Sequence, residues 1–156
     1  MRRIIIALVL AAGLGPVGTA ALGLAPAARA DTVAAVQALA EQGDAKAQYA
    51  LGTMYRDGQG VAQDFAAALD WWRRSAAQGF LDAQLALGNM YAGGTGIPKD
   101  PVRAYMWFDI AAAQSGDDWL RGIAASNRDA IAARMTPEEV AKAKGMAADW
   151  RAKHGG

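Results

Sequence analysis

The sequence predicts an all-α fold: a solenoid of stacked, antiparallel helix pairs, about seven helices in the mature chain. Three observations lead there. Residues 43–78 and 79–114 align without a gap over 36 positions, of which 16 are identical, and self-similarity at such a period marks a repeat architecture. Within each copy, apolar residues recur at three- and four-residue intervals, the spacing of one helix face. Between the two helical stretches of each copy stands a Gly-x-Gly, with an aspartate four residues further on.

In chain order, residues 1–30 read as a secretory signal. Arg2 and Arg3 give a basic start, residues 4–14 an apolar run, and Ala28-Arg29-Ala30 a small-x-small cleavage site. Pro16 and several glycines interrupt the apolar stretch, which falls short of the roughly 20 residues a spanning helix needs. The expectation is export, with cleavage after Ala30, to a periplasmic or secreted location without stable membrane insertion. Loss of Arg2, Arg3 and Arg29 turns 16 basic against 15 acidic residues into 13 against 15, so the formal charge passes from +1 to −2. No basic block remains, and nucleic-acid binding loses its electrostatic footprint. The sequence has no cysteine. That excludes disulfides, thiolate metal sites, a cysteine nucleophile and a cysteine-borne lipid anchor.

Residues 31–42 are expected as an N-terminal capping helix, because Glu41-Gln42-Gly43 parallels Ala77-Gln78-Gly79 at the end of a repeat. In repeat 1 (43–78), residues 44–57 form the first helix, with Ala47, Leu51, Met54 and Tyr55 at helical spacing. Gly58-x-Gly60 ends it, since a helix-to-helix turn calls for positive φ. Asp64 then caps the next helix. In repeat 2 (79–114), Gly94-x-Gly96 and Asp100-Pro101 repeat the signal, and proline suits the first helical position. The second helices carry Ala68, Trp71, Trp72 and Ala76, matched by Ala104, Trp107, Phe108 and Ala112. Of these aromatics, Trp71 and Trp107 are expected between helices, and Trp72 and Phe108 partly exposed. Residues 115–156 form a capping pair: a helix over 117–135, then one from 137 to about 153. Thr136-Pro137-Glu138-Glu139 is a capping-box start, and Val140, Ala143, Met146, Ala147 and Trp150 point inward.

These residues resemble the Sel-one-like repeat family, relatives of the tetratricopeptide repeats. The family pattern runs A-x-x-x-L-G-x-x-Y-x-x-G-x-G-V-x-x-D, then A-x-x-W and A-A-x-x-G. Repeat 1 meets it with Ala47, Leu51, Gly52, Tyr55, Gly58, Gly60, Val61, Asp64, Ala68, Trp71, Ala76, Ala77 and Gly79. Repeat 2 meets it with Ala83, Leu87, Gly88, Tyr91, Gly94, Gly96, Ile97, Asp100, Ala104, Trp107, Ala112 and Ala113, with Ser115 where the closing glycine is expected. The resemblance implies a right-handed solenoid that binds proteins or peptides on a concave face, and often an exported protein. One exported branch staples each repeat with a disulfide; a chain without cysteine lies outside it.

Enzyme chemistry finds no constellation. The Gly-x-Gly segments lack the preceding strand and third glycine of a dinucleotide site, and the Gly-Lys-Ser/Thr of a P-loop. Asp117/Asp118 and Glu138/Glu139 fall at helix starts, where acids complement the dipole. His154 is the single histidine, three residues from the end; Ser75, Ser115 and Ser126 have no placed base. No catalytic residue, metal ligand or cofactor is therefore expected. The competing class is an envelope enzyme or sugar-binding protein acting on peptidoglycan or polysaccharide.

The positions that differ between copies point elsewhere. In the tetratricopeptide relatives the first helix of each repeat lines the groove with residues not used for packing. Carried over, these are Lys46, Tyr49, Thr53 and Arg56, then Asp82, Leu85, Asn89 and Ala92. They are expected to receive an extended peptide or a partner's helix.

Overall fold

The computed structural model describes residues 26–114 and 116–154. Most of the expected signal segment, and Ser115, lie outside the described residues. Among those described, the chain forms seven α-helices: α1 (Pro26–Glu41), α2 (Ala45–Asp57), α3 (Phe65–Ala77), α4 (Leu81–Gly93), α5 (Pro101–Gln114), α6 (Asp118–Ala132) and α7 (Pro137–His154). Each packs on its successor from α1 through α6, while α7 returns to pack on α5. The result is an all-α solenoid of helix pairs. Of the segment expected to cap the array, 31–42, all but Gln42 is the C-terminal part of α1, which runs without a break across the expected cleavage point.

The two repeats are punctuated in the same way, and the backbone explains why. Gly58 and Gly94 end α2 and α4 in the left-handed region, at φ 67° and 68°, and donate their N–H groups to the Met54 and Met90 carbonyls. A side chain there would be strained. The loop then closes by donation from the Asp64 and Asp100 backbone N–H to the Tyr55 and Tyr91 carbonyls, at 2.9 and 3.0 Å. The same aspartates accept from the Ala67 and Arg103 N–H groups, at 3.0 and 2.9 Å. One residue thus ends a turn and starts a helix.

The main core lies where α3, α4, α5 and α7 meet, and holds Trp72, Leu87, Met90, Trp107, Phe108 and Ile110. Trp72 and Phe108 are each only 1% exposed, which corrects the expectation that they are partly exposed. The cause lies across the helix pair. Gly52 of α2 and Gly88 of α4 leave recesses into which the two rings fit, and a Cβ at either would stand 2.5 Å from Trp72 Cδ1 or Phe108 Cε1. Trp71 is instead half-buried against Ala40, Ala47 and Leu51, with the Arg74 guanidinium 4.6 Å from its ring centroid. Trp107 is buried as expected and meets the edge of Trp150 at 5.4 Å.

Glutamines join one unit to the next. Buried Gln48 donates to the Ala40 carbonyl at 3.1 Å and accepts from the Gln78 amide at 2.8 Å. One repeat later, Gln84 donates to the Ala76 carbonyl at 3.4 Å and to the Gln114 amide oxygen at 2.5 Å. At the C-terminal end, Asp117 caps α6 by accepting from the Trp119 and Leu120 N–H groups. Thr136 and Glu139 form the reciprocal pair at the start of α7, at 2.9 and 3.2 Å. Ala143 and Ala147 of α7 are fully buried. His154 ends α7, exposed, with its ring stacked on Trp150 at 4.5 Å.

Asp109 of α5 ties the last three helices together. Its carboxylate accepts from Arg128 of α6 at 3.3 Å and from Arg151 of α7 at 2.9 Å. Burial acts to lower the Arg128 pKa, but hydrogen bonds to Asp129 and Asp109 outweigh it and leave the guanidinium more firmly charged than usual.

Candidate peptide-binding groove

The first helices of both repeats, α2 and α4, contribute to one open groove of about 300 Å³. Five of the eight residues singled out from the sequence line it: Tyr49 and Arg56 from α2, and Asp82, Leu85 and Asn89 from α4. Helical spacing brings the α4 set together, since positions 82, 85 and 89 fall on one face. The remaining three stand outside the lining. Lys46 is exposed at the start of α2. The Thr53 hydroxyl turns back to donate to the Tyr49 carbonyl at 3.1 Å. Ala92 packs against the main core.

Trp72, Ala86, Met90 and Thr95 also line the groove; Trp72 was expected to be partly exposed, and the sequence reading missed the other three. Trp72 and Met90 are core residues whose edges reach the groove wall, and Thr95 belongs to the glycine turn. Only Ala86 carried a usable signal, because it is adjacent to Leu85 and four residues from Asp82.

Aromatic contacts set the Tyr49 ring. It lies 6.5 Å from the Trp72 ring at 27° and 5.5 Å from the Phe80 ring at 46°. The Trp72 indole N–H donates to the Tyr49 carbonyl at 3.1 Å, so α3 holds the α2 backbone at the groove's edge. Leu85 is half-buried and bridges two core clusters.

The groove's charges are arranged unequally. Arg56 binds Asp57 through two hydrogen bonds, Nε to Oδ1 at 2.6 Å and Nη2 to Oδ2 at 2.8 Å, and its guanidinium lies 5.6 Å from the Trp72 ring centroid. The Asp57 hydrogen bond raises the Arg56 pKa against the opposing effect of burial. The reciprocal bond holds the Asp57 carboxyl below the ordinary carboxylate range. Asp82 stands exposed in the first turn of α4. Chemically the groove offers aromatic faces, an aliphatic floor, one amide, the hydroxyls of Tyr49 and Thr95, and two opposite charges. Among the described residues, no group of three or more His, Asp or Glu side chains is placed to hold a metal ion.

Stacked antiparallel helix pairs whose first helices share one groove define an α-solenoid repeat protein. The Sel1 repeat matches residues 45–80 and 81–116, the same period as the internal alignment shifted by two residues. The chain is a Sel1-repeat protein. Among solved structures it is similar to a protective antigen present in uropathogenic Escherichia coli strains displaying an SLR fold. That likeness has 30% identity and a TM-score of 0.72, over 80% of this chain and 26% of the antigen. The chain therefore spans about a quarter of that protein. It is also similar to a Sel1 repeat protein from Oxalobacter formigenes, at 29% identity and a TM-score of 0.50, over 76% of this chain and 98% of the other. Comparison with curated proteins gave no match. Sel1 repeats are in general protein-interaction modules. No helix among the described residues is long and apolar enough to cross a membrane.

Proposed function

We propose that this chain is an exported, non-catalytic interaction module of envelope signalling or assembly, which holds a peptide segment of a partner protein in the groove between α2 and α4. The observation that carries this reading is the composition of the groove wall. Tyr49/Leu85 is one position of the two repeats with different residues, both on the groove wall, while packing positions such as Leu51/Leu87 keep their identity and are fully buried. Five residues that differ between the copies, Tyr49, Arg56, Asp82, Leu85 and Asn89, line one groove. An apolar floor with a few polar groups at its rim suits an extended segment whose side chains alternate between floor and solvent.

Export rests on the basic, apolar and small-residue order of residues 1–30. Cell fractionation with N-terminal sequencing tests it; the expected product is periplasmic and begins at Asp31. For the groove, a photo-crosslinking side chain is placed at Asn89, and as a control at Lys142, exposed on α7. The expected result is a discrete adduct at Asn89 that is absent at Lys142 and lost on Tyr49→Ala. Equal adducts at both positions, or none at Asn89, overturn the reading.

A further inference from the structure

Arg56 and Asp82 line the same groove, yet only one of them has a partner. The Arg56 charge is met by Asp57 through two hydrogen bonds, and its plane rests near the Trp72 ring. Asp82 has no cation within ion-pair distance among the described residues. The charge left to be answered in this groove is negative.

We infer that the occupant is an extended peptide segment bearing a lysine or arginine beside an apolar residue, with the cation paired to Asp82. The inference rests on the proposed groove-binding role and specifies its chemistry. Asp82, Leu85 and Ala86 lie within one turn of α4, so carboxylate and aliphatic floor are neighbours. Tyr49 faces them from α2, its ring fixed by Phe80 and Trp72. A long basic side chain can lay its methylenes on Tyr49 and Leu85 while its head stays hydrated near Asp82. The aromatic face adds a cation–π attraction.

An acidic segment has the opposite fortune. It meets an Arg56 charge that Asp57 already answers through two hydrogen bonds, and it would lie in the same groove as an unanswered carboxylate. An acid in the first turn also complements the α4 dipole, but that role makes no demand on what enters the groove. The two roles differ in what Asp82→Asn does: loss of the dipole role alone lowers stability and leaves ligand preference unchanged.

The test uses short, end-blocked fluorescent peptides with one leucine flanked by lysine, glutamine or glutamate, titrated into the mature protein and followed by anisotropy. The lysine peptide is expected to bind at least tenfold more tightly than the glutamate peptide. Asp82→Asn should erase that preference, and Asp82→Lys should invert it, with thermal melts confirming folded variants. Preference for glutamate, preference that survives Asp82→Asn, or no saturation by any peptide overturns the inference. Equal binding of all three peptides, lost on Tyr49→Ala, also overturns it and leaves the groove reading standing. Peptide binding indifferent to Tyr49→Ala defeats the groove reading as well.

Discussion

Trp72 lies so close to the backbone of Gly52 that a Cβ there would come within 2.5 Å of its Cδ1 atom. Phe108 stands to Gly88 in the same relation, one repeat later. The glycine is a recess cut in one helix for the ring of the next. Gly52→Ala and Gly88→Ala should each destabilise the fold by about 1–3 kcal/mol, the usual cost of overpacking a filled core. Pairing Gly88→Ala with Phe108→Leu should recover part of the loss, because the smaller side chain vacates the collision. Thermal melts of the singles and the double would check this. A double variant no more stable than Gly88→Ala would show that the ring is not the obstacle.

Asp109 serves two guanidiniums from different helices, so its loss should free both α6 and α7 from α5. Asp109→Asn keeps the shape and removes the charge. Because all three side chains retain some exposure, the expected cost is about 1–2 kcal/mol, below the range for fully buried pairs. Hydrogen exchange should quicken in α7 and leave α2 and α3 unchanged. Uniform acceleration along the chain would contradict a local tie.

The reciprocal bonds of Thr136 and Glu139 give the start of α7 two satisfied donors. Thr136→Ala should cost about 1 kcal/mol, while Thr136→Ser should be near neutral. Equal losses from both substitutions in chemical denaturation would remove the hydroxyl from the explanation.

Acid should undo the Arg56–Asp57 pair. The Asp57 pKa is depressed in the folded chain, chiefly by the Arg56 hydrogen bond. The pair therefore favours the folded state above the unfolded carboxylate value of about 3.9, and that contribution fades as pH falls through the lower folded value. An NMR titration should place the Asp57 midpoint below the ordinary range, and Arg56→Gln should move it upward. A midpoint indifferent to that substitution would deny the pair its role.

Much of this fold was legible because it is written twice. The repeat, the left-handed glycines, the capping aspartates and the Thr136 box each rest on local chemistry that a single stretch of chain declares. The facing of Trp71 and Trp72 was not legible from periodicity, because adjacent residues differ by only one step around a helix. What decides between them is Gly52, twenty positions away, and the only clue was that the Trp72/Phe108 pair remains aromatic while Gly52/Gly88 remains glycine. The return of α7 to α5 depends on the Asp109–Arg151 contact and the Trp107–Trp150 contact, both of which exist only once the solenoid is closed. In the groove, five residues followed from positions carried over by the resemblance to the tetratricopeptide repeats. Thr53 did not, because its hydroxyl found a nearer acceptor in its own helix.

The glutamine joints carry one more implication. Gln48 and Gln84 bond to the carbonyls of Ala40 and Ala76, which are backbone atoms and present in any residue. The coupling is therefore indifferent to the side chain of the unit before it. Such a connector is a standard fitting: a duplicated copy of residues 43–78 spliced between the two existing units has a socket waiting at either end.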